Sequence, residues 1–302
     1  GSRRAAAQPF PTPFRSSSVP YSAAISRVQP AAILLLLDQS ASMQDPFGGA
    51  EQQGDAAPSK ARVLADTVNR LIQDLVLRCA KEDGVRDYFH LAVIGYGERV
   101  EALIRTGAEG GEPLVPISAL ADRPLRLEPR TRSIPDGQGG TVERVVQTPV
   151  WFDPHAKNGT PMSQALDYAT QLVRGWIDEH PRGYPPIVLN ITDGEATDGD
   201  PLRYAQQLRA YGSDDGEALL LNVHLSDSTE PAVAFPDEMA GLPDEFARTL
   251  YQMSSTLPFG MRAAAAADGV RVTLDTRGFV FNADPSALVR FLEIGTRPST
   301  LR

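Results

Sequence analysis

Two hydrophobic periods alternate along the chain. AAILLLL (31–37) is an unbroken apolar run, too short for a secure helix and too apolar to be half exposed. It predicts a strand buried on both faces, the habit of parallel sheets. Leu64, Val68, Leu71, Ile72, Leu75 and Cys79 then follow the i, i+4, i+7, i+8 spacing of an amphipathic helix, opened by Pro58 and Ser59. HLAVIGYG (90–97) predicts a second strand, and RVEALIR (99–105) can return antiparallel beside it. Helical spacing resumes at Met162, Ala165, Leu166, Ala169, Leu172, Val173, Trp176 and Ile177. Thr160 as N-cap and Pro161 at the first position would start that helix, since a cap oxygen accepts a free amide and proline's missing N–H costs nothing there. PPIVLNIT (185–192), ALLLNVHL (218–225) and GFVFNA (278–283) predict further strands. Helices are expected after Asp200–Pro201, in DEFARTLYQMSSTL, in MRAAAAADG and after Asp284–Pro285.

This alternation predicts an α/β fold: a doubly wound, mostly parallel central sheet with helices on both faces and one antiparallel edge strand. Ligands of such sheets bind beyond the carboxyl ends of the strands, where the strand order reverses, and Asp38 leaves the first strand at that edge. The 302 residues are expected to form one domain over 30–302, with insertions at about 106–158 and 226–242. Residues 1–29 are expected to be a flexible basic tail. Residues 1–37 hold no acid, and the first thirty positions carry five prolines and six serines. The opening Gly1-Ser2 resembles an expression remnant, which would hide the native start.

Composition narrows the class. No apolar run approaches the roughly 18 residues of a membrane span, so no membrane partner is expected. A lone cysteine, Cys79, makes no internal disulfide and suits a reducing cytoplasm. Its place in a helical apolar stripe predicts inert core. A formal charge of −9 repels phosphate and argues against nucleic acid as a partner.

Candidate chemistry gathers at the predicted binding edge. Asp38, Ser40 and Ser42 leave the first strand, Thr160 opens a helix, and Asp193 follows a buried strand in NITDGEATDGD. Each alone is ordinary turn or cap chemistry; the joint order is not explained that way. Hydroxyls and carboxylates suit a hard divalent cation such as Mg²⁺, whereas soft metals prefer sulfur and imidazole. Ser40 and Ser42 could face one ion if the loop stays extended. With few carboxylates the ion would keep an exchangeable position for an acidic group from elsewhere.

DQSASM, GTPM and ITDGE, in this order on this strand pattern, resemble the metal-ion-dependent adhesion site of von Willebrand factor A domains, which have a Rossmann-like fold. The resemblance implies that Ser40 and Ser42 bind Mg²⁺ directly, with Mn²⁺ or Ca²⁺ as alternatives. Thr160 and Asp193 would exchange between direct and water-mediated contact, Asp38 would act through water, and a protein partner's Asp or Glu would complete the shell. VIGYG, PVWFDP, NGTPMSQAL, ITDGEATDGDP and GFVFNA are similar to bacterial standalone members of that family. These are encoded beside PP2C-type phosphatases and Ser/Thr kinases or in tellurite-resistance-like stress clusters, which implies a role in bacterial signalling or stress response. Ala41 departs from the family glycine and would strain the loop if a positive φ is needed there.

Other features compete for a role. Residues 106–158 exceed ordinary loop lengths, and TRSIPDGQGGTVERVVQTPVWF predicts a hairpin turning at Asp136 to Gly140. Arg123, Arg126, Arg130 and Arg132 give it a basic flank, and its return at Thr160 makes it a candidate partner selector. An acid of the 227–245 loop could cap the metal at rest. Asp200 is explained by capping, and neither it nor Asp198 counts as a ligand. His90, His155, His180 and His224 lack zinc-site spacing, and no phosphate loop or dinucleotide fingerprint occurs. The alternatives to a noncatalytic binding module are a Mg²⁺-dependent phosphotransferase or phosphatase with Asp38 as nucleophile, and a metal-free scaffold. The first is weakened because the haloacid-dehalogenase pattern needs an aspartate where Ser40 stands, and Lys60, Lys81 and Lys157 sit in no matching motif.

Overall fold

A computed structural model of the chain describes residues 19–47, 57–107, 110–135, 137, 140–225 and 231–296. In chain order its strands are β1 Ala31–Asp38, β2 Phe89–Tyr96, β3 Val100–Ala102, β4 Val115–Pro116, β5 Arg126–Pro135, β6 Thr141–Val150, β7 Ile187–Thr192, β8 Leu219–Leu225, β9 Val233–Ala234 and β10 Phe279–Ala283. The helices are α1 Lys60–Cys79, α2 Ile117–Asp122, α3 Met162–Glu179, α4 Pro201–Arg209, α5 Glu245–Met253, α6 Phe259–Ala267 and α7 Pro285–Gly295. Two further two-residue ladders join Ala80–Lys81 to Gly84–Val85 and Gly212–Ser213 to Gly216–Glu217.

The main sheet runs β9-β10-β8-β7-β1-β2-β3, with β4 also on β2. Pairings among β10, β8, β7, β1 and β2 are parallel. The antiparallel strand expected at 99–105 is present as the shorter β3, β4 also pairs antiparallel with β2, and β9 adds an antiparallel strand at the opposite edge. After β1 the chain adds β2 on one side and later β7 on the other. The strand order therefore reverses at β1, and the carboxyl ends of β1 and β7 frame the crevice such sheets use for ligands.

Every residue of β1 is buried, and its period-2 alternation divides the core. Ala31, Ile33, Leu35 and Leu37 join one cluster with residues of α1, α2, α6 and α7. Ala32, Leu34 and Leu36 join the other, with residues of α3, α4 and α5. A continuous apolar run is what a strand covered on both faces requires. Cys79 lies fully buried in the first cluster, and burial pushes its thiol up to about 11, which keeps it in the unreactive protonated form.

Residues 1–18 of the expected tail lie outside the described residues. The remainder of that segment is tied to the body. Backbone amides of Ser22 and Ala23 donate to the two carboxylate oxygens of Asp215, each at 3.0 Å, Ile25 is fully buried, and Tyr21 packs against Tyr184. The long excursion after β3 also divides in two. Val115, Ile117 and Leu120 return to the core, whereas β5 and β6 form the expected hairpin, with ten paired positions and Val145 exposed. Trp151 seats its base, donating its indole N–H to Leu120 O at 2.8 Å.

Two arginines of the hairpin's basic flank are paired within the protein. Arg126 pairs with Glu128 and Asp153, and Arg130 with Asp66 of α1 and Glu128. Leu120→Ala should cost about 2–5 kcal/mol by cavity formation, whereas Val145→Ala should stay within about 0.5 kcal/mol. Chemical denaturation of the two variants checks this division of the insertion.

Candidate metal centre

Asp38 closes β1 and is 1% exposed. Its Oδ1 accepts the Ser40 N–H at 2.8 Å, and its Oδ2 accepts the Thr192 hydroxyl at 2.7 Å and the Asp193 N–H at 3.4 Å. One carboxylate thus ties together the ends of two adjacent parallel strands. The chain does not stay extended after Ser40, as the two-residue spacing suggested; it turns into a 3₁₀ segment, Ala41–Gln44, held by buried Met43. The turn achieves the same convergence. Ser40 Oγ and Ser42 Oγ lie 3.1 Å apart, and Asp193 Oδ1 lies 3.4 Å from the first and 2.8 Å from the second.

Those three oxygens form a triangle whose sides match the roughly 3.0 Å edges of an octahedron with metal–oxygen bonds of about 2.1 Å. The donor set of hydroxyl and carboxylate oxygens suits a hard divalent cation, and Ser42 opens it to solvent. Among the described residues no group of three or more His, Cys, Asp and Glu could hold a metal. Any ion here would rest on serine hydroxyls as much as on carboxylates.

Backbone contacts hold the surrounding loops. Lys157 N–H donates to Gln39 O at 2.7 Å and Ala41 N–H to Asn158 O at 2.9 Å. A Cβ on Gly97 would collide with the Gln39 carbonyl, so β2 can pass this close only with glycine there. Ala41 is exposed and absent from the non-glycine residues with positive φ. A glycine is therefore not needed for conformation at this position. The left-handed residue of the site is Asn158, with φ 68°, a type that tolerates it.

Thr160 is not the N-cap expected. Helix α3 begins at Met162 without a side-chain cap from Pro161; its early amides, from Ser163 and Gln164, donate instead to the Asp198 carboxylate at 3.0 and 2.8 Å. Sequence spacing could not reveal this cap, because it comes from the loop after β7. Thr160 is buried, and its N–H donates to Thr197 Oγ1 at 2.9 Å. That contact brings it to the Asp193 loop, and a Cβ on Gly159 would lie 2.8 Å from the same Thr197 oxygen. No hydrogen bond is recorded from its hydroxyl to Asp38, Ser40, Ser42 or Asp193. Of the 227–245 loop, residues 227–230 lie outside the described ones, and Asp244 caps α5 through Ala247 N–H at 2.7 Å.

Lys60, set aside in the sequence for want of a matching motif, proves to belong to the site. Its ammonium lies 2.7 Å from Asp193 Oδ2, both side chains essentially inaccessible, and that oxygen accepts no conventional hydrogen bond. A signal existed. Lys60 continues the apolar stripe of α1 four residues before Leu64, and a cation at the first residue of a helix opposes the dipole.

No protein-family model matches the chain, and no curated protein matches it. Among solved structures it is similar to proximal thread matrix protein 1 of the mussel byssus, with 12% identity and a TM-score of 0.45 over 92% of this chain and 49% of that one. A form of that protein with a zinc-occupied MIDAS motif matches at 13% identity and a TM-score of 0.43, over 92% and 48%. Manganese-loaded TRAP protein of Plasmodium vivax matches at 15% identity and a TM-score of 0.40, over 87% and 72%. The chain thus spans about half the length of the mussel proteins it matches.

Burial pushes the Asp38 carboxyl up to about 6, partly offset by hydrogen bonds from Ser40 and Thr192 and reinforced by the nearby charge of Asp193. An unfolded aspartate titrates near 3.9. The folded state therefore binds the extra proton between about pH 4 and 6, and this contribution to stability is complete below 4 and lost as pH rises through 6. It amounts to about 3 kcal/mol. In EDTA, the stability of the native protein relative to Asp38→Asn should improve by about that much on going from pH 7.5 to 4, measured by urea unfolding.

Proposed function

We propose that this chain is a metal-dependent protein-binding module of the von Willebrand factor A type. A cation such as Mg²⁺ would be held by Ser40, Ser42 and Asp193, with Thr160 and Asp38 behind them, and a partner's Asp or Glu would complete its shell. The observation that carries this reading is the oxygen triangle of Ser40, Ser42 and Asp193 at the strand-order reversal, built from segments about 150 residues apart in sequence. Bound there, the cation would supply Lewis acidity toward a carboxylate. The chain's own part is to fix the hydroxyls on the 3₁₀ turn and to aim Asp193 Oδ1 at them.

A noncatalytic role is favoured over phosphoryl transfer. Both Asp38 oxygens accept hydrogen bonds that organise the loops, and the group is closed to solvent, so no nucleophilic oxygen is presented to a substrate. The motif likeness to bacterial standalone members supports a cytoplasmic signalling or stress-response setting and a PP2C-type phosphatase or Ser/Thr kinase as partner. Among the described residues no helix is long and apolar enough to cross a membrane.

Calorimetric titration with Mn²⁺ and Mg²⁺ should give one saturable site that Ser40→Ala and Asp193→Ala each weaken at least about tenfold, while Ala41→Gly changes affinity less than about twofold. Equal affinity in the first two variants would move any metal elsewhere. An aryl phosphate assay with Mg²⁺ should show no turnover that depends on Asp38; loss of a real turnover in Asp38→Asn would reinstate the enzyme reading.

A further inference from the structure

Lys60 sits against the back of the carboxylate whose front faces the serine hydroxyls. Asp193 Oδ1 accepts from Ser42 at 2.8 Å, while Oδ2 lies 2.7 Å from the Lys60 ammonium. The two oxygens of one carboxylate therefore serve different positive groups. Lys60 is held from behind by backbone contacts: its N–H donates to Asp45 O at 2.9 Å, Phe47 N–H donates to Pro58 O at 3.1 Å, and Ser59 caps α1. Its backbone is thereby pinned to the same 3₁₀ loop that carries Ser42.

Stability does not explain this lysine. Fully buried lysines are rare, the helix dipole disfavours a cation at this position, and an apolar residue in place of a buried ion pair is often neutral or stabilising. The charge count at the site suggests another purpose. Asp38 and Asp193 against Lys60 leave one net negative charge among three groups closed to solvent. A divalent cation added to that set leaves one net positive charge, which a single incoming carboxylate cancels. Without Lys60 the cation alone would reach neutrality, and a guest carboxylate would then bring an uncompensated negative charge into a low-dielectric site.

From this we infer that Lys60 lowers the site's affinity for a lone divalent cation and raises the affinity of the loaded site for a partner's carboxylate. The inference rests on the metal-site reading above and adds to it a buried charge that divides the binding free energy between the two ligands, whose attraction for each other does not depend on Lys60. Lys60 is a positioning and charge-setting residue, not a ligand. The arrangement would keep the module idle toward free Mg²⁺ and responsive to the acid-bearing partner.

The test is calorimetric titration of Mn²⁺ at pH 8, with and without saturating acetate as the carboxylate, on the full chain. The native protein should bind Mn²⁺ weakly alone and at least about tenfold more tightly with acetate. Lys60→Gln should bind Mn²⁺ alone at least about tenfold more tightly than the native protein, and acetate titrated into its Mn²⁺-loaded form should half-saturate at a concentration at least about tenfold higher. Lys60→Arg, which keeps the charge, should keep both native affinities. Circular dichroism confirms folding, and Lys60→Met provides a second uncharged variant should the glutamine be poorly accommodated. Unchanged or weaker Mn²⁺ affinity in the uncharged variants, or undiminished acetate affinity of their loaded forms, overturns this role of Lys60 and leaves the metal site standing. Absence of Mn²⁺ binding in both native and variant proteins overturns the metal site itself.

Discussion

Asp38 is the tie on which the site depends. Its carboxylate, closed to water, accepts from the turn that follows β1 and from the hydroxyl that ends β7. Two adjacent parallel strands are thereby held at one level, and Ser40, Ser42 and Asp193 emerge from a common platform. A carboxylate buried this way is costly unless its lone pairs are used, and here three donors use them. That cost is visible in the upward displacement of its titration to about 6.

Beneath the platform a row of buried polar side chains crosses the sheet. Tyr96 OH donates to Asn190 Oδ1 at 2.7 Å, Asn190 Nδ2 to Asn222 Oδ1 at 3.0 Å, and Asn222 Nδ2 to Ser254 Oγ at 2.9 Å. These bonds join β2, β7, β8 and the end of α5 in the layer just below the loops. Buried polar groups satisfied in this way fix a unique register where apolar packing alone would tolerate slippage. The edge above them gains a rigid base, which a hydroxyl-rich ion site needs because its ligands carry little charge with which to draw themselves together.

Around this edge the peripheral charges are mostly spent within the protein. Arg126 and Arg130 of the hairpin are bound to Asp153, Glu128 and Asp66, so the hairpin presents less positive charge than its composition implies. Asp198 and Asp244 cap helices. What remains at the strand-order reversal is a compact group of two carboxylates, two hydroxyls and one ammonium, and its response to a second cation or an anion is set by that small number of charges.

Much of this was legible in the chain. An unbroken apolar run specifies a two-faced strand, helical periodicity specifies amphipathic helices, and both are local properties; β1, α1 and the body of α3 follow from them, whereas the order of strands in the sheet does not. Asp38, Ser40, Ser42 and Asp193 were legible as well, because strand ends in a doubly wound sheet converge by topology. The α3 boundary at Met162, the cap from Asp198 and the insertion of Lys60 behind Asp193 were decided only by tertiary structure. Each depends on a side chain reaching a group remote in sequence, at a distance and angle that composition does not encode. A lysine in an apolar stripe signals that something anionic must lie opposite; only the placement of the first turn of α1 beside the loop after β7 determines that it is the carboxylate facing Ser40 and Ser42.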